Sequence, residues 1–211
     1  MKVALLDYGG SNIKSVYKAL HEVSNRKMQI FVTSDESEIR SADKLVFPGQ
    51  GAMGNCMHYL KGNNLDNAIK EHSKTKPFLG ICLGLQCLMS QSEENGGTEG
   101  LNLIHGSVKK FFSDKRTESG ILKYKVPHMG WNSVQHQSDH PVLKNIPNSS
   151  SFYFVHSYYI ETSRKETIVC TTDFISRFPS VLAKNQIFAT QFHPEKSSIL
   201  GLKLLKNFLN W

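Results

Sequence analysis

The chain has no apolar run long enough to span a bilayer, which excludes a membrane-spanning helix. Cysteine is scarce: Cys56, Cys82, Cys87 and Cys170 are the four among 211 residues. They are too few for a disulfide framework and lack metal-ligand spacing, so no metal is expected and a reducing, cytoplasmic setting fits best. A G-x-x-x-x-G-K-[ST] phosphate loop is absent, so no cofactor is expected and a nucleotide-driven step would need a partner. Low-complexity tracts, internal repeats and linkers are also missing. A first apolar stretch stops at Asp7, which makes it a strand rather than a secretory signal.

What is present describes an ordinary globular chain, with 39% hydrophobic and 20% charged residues. A chain of this length buries roughly 70% of its unfolded surface, so one domain over residues 1–211 is expected. The formal charge is +7. Its basic residues are spread out; Lys109, Lys110, Lys115, Arg116, Lys123 and Lys125 alternate with apolar and acidic neighbours and carry no nucleic-acid signature. Such a surface suits a phosphorylated metabolite or an acidic protein partner better.

Strand-like and helix-like patterns alternate through the first half: strands at 3–6, 29–32 and 44–47, helices at 13–23 and 55–72. That alternation predicts an α/β fold, a mostly parallel sheet flanked by helices, with active groups at its carboxyl edge. Residues 91–100 read as a polar loop. Stretches 107–112, 121–126, 132–135 and 152–160 read as appended antiparallel hairpins, 187–192 as a buried strand, and 199–209 as a closing helix capped by Ser197 or Ser198.

Gly80-Ile81-Cys82-Leu83-Gly84 places a cysteine at the turn between a buried strand and a helix. Flanking glycines permit a strained turn, and the helix start favours a thiolate and offers the Leu83 N–H as an oxyanion donor. Gly49 and Gly51, after the 44–47 strand, allow a second donor at the same sheet edge. Among nine histidines, His193 is the candidate base, because it ends a strand at that edge. Pro194 biases it toward an extended conformation, in which Glu195 projects to the same side and can orient the imidazole. His156 is the rival base, but its neighbours are aromatic and no acid lies two residues away.

Three motifs occur in the order found in triad (class I) glutamine amidotransferases, and the chain resembles that family: Pro48-Gly49-Gln50-Gly51, Gly80-Ile81-Cys82-Leu83-Gly84-Leu85-Gln86 and Gln191-Phe192-His193-Pro194-Glu195. Asp7-Tyr8-Gly9-Gly10-Ser11-Asn12, Pro127-His128-Met129-Gly130-Trp131-Asn132 and Phe154-Val155-His156-Ser157-Tyr158-Tyr159 resemble the HisH family within it. The resemblance implies a flavodoxin-like fold and a Cys82, His193, Glu195 triad that hydrolyses glutamine. It also implies substrate contacts from Gly51, Leu83, Gln86, Glu94, Ser157 and Tyr158. Asn12, Trp131 and Lys196 would face a HisF-type cyclase. Gln50 and Ser11 depart from the family pattern, where a small aliphatic residue and a glycine are expected. An amidotransferase serving a sugar-modifying synthetase, or a freestanding cysteine peptidase, would use the same triad.

Overall fold

The computed structural model describes residues 1–10, 12–112 and 124–211. The chain opens with β1 (Lys2–Leu6), α1 (Ile13–Val23), β2 (Gln29–Thr33), α2 (Glu36–Ser41) and β3 (Lys44–Gly49). It continues through α3 (Met53–Gly62), α4 (Leu65–Thr75), β4 (Phe78–Cys82) and α5 (Leu83–Cys87). Short strands β5 (Gln91–Ser92), β6 (Thr98–Glu99) and β7 (Ser107–Lys110) follow, then β8 (His128–His136), β9 (Ser150–His156) and β10 (Tyr158–Glu161). The last elements are β11 (Ile168–Asp173), β12 (Arg177–Lys184), β13 (Ile187–Thr190) and α6 (Ser198–Asn210).

Among the described residues, nine strands form one sheet in the order β2-β1-β3-β4-β13-β12-β11-β8-β9. The β2-to-β13 half is parallel and the remainder antiparallel. Side-chain alternation divides the core between the two faces: Val3 and Leu5 pack with α1 and α6 on one, Ala4 and Leu6 with α3 and α4 on the other. Helix α6 shows the matching 3.6-residue stripe, burying Gly201, Leu204, Leu205, Phe208 and Leu209. No helix among the described residues is long and apolar enough to cross a membrane.

Several expectations need correction. The helix expected over 55–72 is two, because Asn64 adopts a left-handed φ of 59° and breaks it. The polar stretch 91–100 supplies β5 and β6 to a second, four-stranded sheet ordered β10-β7-β5-β6. The strand expected over 152–160 splits at Ser157, whose carbonyl accepts from Phe111 N–H at 2.9 Å as the chain passes from the large sheet to the small one. Of the strand expected over 121–126, residues 121–123 lie outside the described residues and the rest form none. Ser197 takes the N-cap position of α6 as expected, but its hydroxyl makes no cap; it donates to the His193 carbonyl at 2.6 Å and accepts from Tyr153 N–H at 3.0 Å.

Parallel neighbours β3, β4 and β13 bring Gly49, Cys82 and the segment leading to His193 to one edge. Gly84, in α5, lies so close to β3 that an added Cβ would collide with the Phe47 carbonyl oxygen. Gly84→Ala is therefore expected to lower stability by about 1–3 kcal/mol, as overpacking does. Gly62→Ala, facing open space at the end of α3, should be neutral or slightly stabilising. Chemical denaturation of the two variants checks the contrast.

Candidate active site

Cys82 stands at the β4–α5 junction with φ 53° and ψ −104°, a region L-residues rarely occupy. Its thiol faces a pocket of about 540 Å³, the size of a small-metabolite site. Leu83 begins α5, so its N–H belongs to the first turn and has no partner within the helix. Gly51, at φ 94°, comes from the loop after β3. That loop is clamped by Tyr8, whose hydroxyl accepts from Gln50 N–H at 2.9 Å and donates to the Gln50 carbonyl at 3.1 Å. The clamp acts on the main chain, so the unexpected side chain at Gln50 leaves it intact. Ser11 lies outside the described residues.

His193 follows β13 and is fully buried. Its Nδ1 lies 2.7 Å from Glu195 Oε1, and both side chains are shut off from solvent. The carboxylate fixes the proton on Nδ1 and leaves Nε2, which has no other hydrogen-bond partner, for the sulfur. Burial opposes a charge on this ring, but a Cys82 thiolate and the Glu195 carboxylate outweigh it and push His193 up to about 10.

Both ring nitrogens of His156 are committed to other partners. Its Nδ1 is 2.7 Å from the Tyr158 carbonyl, which can only accept, so the proton sits there. Its Nε2 is then the acceptor, and it is occupied by His128 Nδ1–H at 2.9 Å. His128 Nε2 in turn accepts from Asn132 Nδ2 at 3.1 Å. Both rings are held neutral; burial pushes His156 down to about 3 and His128 to about 4. His128 is thereby a structural partner of His156.

All six residues expected at the substrate line the pocket: Gly51, Leu83, Gln86, Glu94, Ser157 and Tyr158. The side chains of Gln86 and Glu94 already have partners. Gln86 is buried, with Nε2 donating to the Tyr158 carbonyl at 3.2 Å and to Gln191 Oε1 at 3.4 Å. One Glu94 oxygen accepts from Met53 N–H at 2.6 Å. That contact bears on the run Gly49-Gln50-Gly51-Ala52-Met53-Gly54, which has G-x-G-x-x-G spacing between a strand and a helix. A carboxylate at the start of α3 takes the position where a dinucleotide's pyrophosphate would have to bind, so the run is not read as a nucleotide site.

Of the three residues expected at an interface, Trp131 and Lys196 are exposed and Asn12 is not. Trp131 is 55% exposed and Met129 63%, on one face of β8, with Trp131 edge-on to Tyr153 across the strand pair. Asn12 is instead buried against the triad, where its amide donates to Glu195 Oε1. Its position before α1 in sequence concealed this, because the partner lies 183 residues away.

The family model for glutamine amidotransferase class-I matches residues 4–211. The imidazole glycerol phosphate synthase subunit HisH of Neisseria meningitidis serogroup B is 47% identical over 214 residues, covering all of both chains. That of Nitrosococcus oceani is 47% identical over 99% of this chain and 97% of its own. The chain belongs to the class I glutamine amidotransferases, in their HisH branch. The fold agrees with solved relatives too distant to speak to more than fold. The glutaminase domain of Trypanosoma brucei CTPS superposes with a TM-score of 0.61 at 15% identity, covering 100% of this chain and 94% of that one. A Thermotoga maritima glutamine amidotransferase gives 0.62 at 16%, covering 100% and 83%.

In this amidotransferase the His193 charge depends on Cys82. Replacing Cys82 by serine removes the thiolate, so the His193 pKa should fall well below about 10. A pH titration of the ring by NMR checks this, and an unchanged value contradicts it.

Proposed function

We propose that the chain hydrolyses L-glutamine through Cys82 and delivers the ammonia to a HisF-type cyclase, as the glutaminase subunit of imidazole glycerol phosphate synthase in histidine biosynthesis. The observation that carries this reading is the His193–Glu195 contact at 2.7 Å, which leaves one ring nitrogen for Cys82 at the mouth of the pocket. Cys82 attacks the side-chain amide carbon, and the resulting oxyanion is met by main-chain N–H groups from Leu83 and Gly51. His193 then gives its proton to departing ammonia, leaving a thioester, and activates the water that releases glutamate. Glu195 holds the imidazole in its tautomer, and Asn12 steadies Glu195. Gln86, Glu94, Ser157 and Tyr158 hold the substrate.

Full-length identity to named HisH subunits favours the cyclase over an amidotransferase partner of another pathway. The exposed Met129 and Trp131 beside Lys196 suit a protein partner, combining aromatic and apolar anchors with a cation at the pocket's rim. A peptidase would have no use for such a surface.

Cys82→Ser is expected to abolish glutamate release while the variant stays folded, and substantial residual glutaminase activity would contradict the assignment. His193→Ala should cost nearly as much. His156→Ala should leave more activity, and the reverse order in coupled glutamate assays would mean His156 is the base. Trp131→Ala should weaken binding of a HisF-type cyclase by about 1–3 kcal/mol in calorimetry, while Cys82 still reacts with a small electrophile. Unchanged affinity would remove Trp131 from the interface.

A further inference from the structure

Gln191 is fully buried in the segment that leads from β13 to His193, and its main-chain N–H is spent on the Ser180 carbonyl at 2.8 Å. Its side chain lies between two groups of the site. Oε1 accepts from Gln86 Nε2 at 3.4 Å, and Nε2 is 3.7 Å from Cys82 Sγ.

The orientation of both amides follows from one atom. The Tyr158 carbonyl oxygen only accepts, so Gln86 must present its NH2 group there. The same NH2 group meets Gln191, which must therefore turn its oxygen toward Gln86. The Gln191 NH2 group is left facing the sulfur. The Tyr158 carbonyl is itself held in place by His156 Nδ1–H at 2.7 Å, the end of the row that runs through His128 to Asn132. A buried amide so constrained has its donor aimed at the nucleophile before substrate arrives.

We propose that Gln191 is a further catalytic residue, whose side-chain N–H donates to Cys82 Sγ and stabilises the thiolate, and that Gln86 couples substrate contact in the pocket to this donor. The proposal rests on the reading of Cys82 as nucleophile. A donor to sulfur favours the charged form, so Gln191 acts on the thiolate together with the His193 imidazolium. Gln86 lines the pocket and also holds the Gln191 oxygen, so a ligand that fixes Gln86 also fixes the donor.

The test uses the full chain with iodoacetamide as probe, the Cys82 adduct being followed by mass spectrometry across pH. The titratable groups around the sulfur include His193 with Glu195, Lys196, His156, Tyr8, Tyr153, Tyr158, Cys87 and Glu94, and all stay in place. Gln191→Met keeps the length and removes the donor. Its alkylation midpoint is expected about one pH unit above that of the unsubstituted chain, a roughly tenfold loss of thiolate at lower pH. Gln86→Met should move the midpoint the same way by less. A packing role alone would lower stability and leave the midpoint in place, so an unmoved midpoint in folded Gln191→Met overturns the proposal. Should that variant not fold, the unsubstituted chain decides: the Gln191 side-chain amide signal in NMR is expected to shift as the thiol titrates, and a signal indifferent to that titration overturns it. Alkylation does not require glutamine hydrolysis, so failure here is distinct from failure of the nucleophile reading, which Cys82→Ser with retained glutaminase activity would overturn together with this proposal.

Discussion

Cys82 is held at a left-handed φ of 53° where β4 meets α5, and the rest of the site depends on that turn. A non-glycine residue there costs on the order of 1–3 kcal/mol, so the neighbours must compel it. Gly80 and Gly84 meet this requirement by being empty: a Cβ on Gly80 would stand 3.1 Å from Ala189 Cβ, and one on Gly84 would strike the Phe47 carbonyl. Strands β3, β4 and β13 therefore approach the first turn of α5 closely. The same approach sets the Gly51 loop, the thiol and the His193 segment on one edge. The elbow thus constrains fold and chemistry together.

Around this turn the pairing of polar groups assigns their roles. His193 has a carboxylate on one ring nitrogen and nothing but the sulfur to meet with the other. His156 has both nitrogens committed and is kept neutral by burial. The two histidines differ in what their partners can accept or donate, not in distance from the pocket alone, since His156 lines it as well. Tyr8, Asn12 and Gln191 extend the pattern: Tyr8 holds the Gln50 main chain beside Gly51, Asn12 holds Glu195, and Gln191 meets Cys82 Sγ itself.

The legible parts of the sequence were local. Gly80-Ile81-Cys82-Leu83-Gly84 carries the elbow within five residues, and His193-Pro194-Glu195 carries base and acid within three, so spacing alone places them. The parallel half of the sheet was equally readable, because continuous apolar runs such as 45–47 mark strands buried on both faces. Strands β11 and β12 escaped notice; Pro179 interrupts the pattern of β12 and sits where the β11–β12 pairing passes irregularly. Contacts made across the fold were also hidden. Asn12, expected to face a partner, lies beside Glu195 instead, and Glu94, expected at the substrate, also accepts from Met53 N–H. Trp131, expected at a partner-facing surface, is exposed, because the alternation of β8 turns it outward.

The measurement that tests the central claim most directly is covalent labelling of the full chain with a glutamine-analogue electrophile, followed by peptide mapping. All four cysteines are buried, so exposure does not choose among them; geometry does. Cys82 alone should carry the adduct, because it alone lines the pocket and faces His193. Modification of Cys56, Cys87 or Cys170 in its place, or no adduct at Cys82 under conditions that saturate the site, would contradict the account.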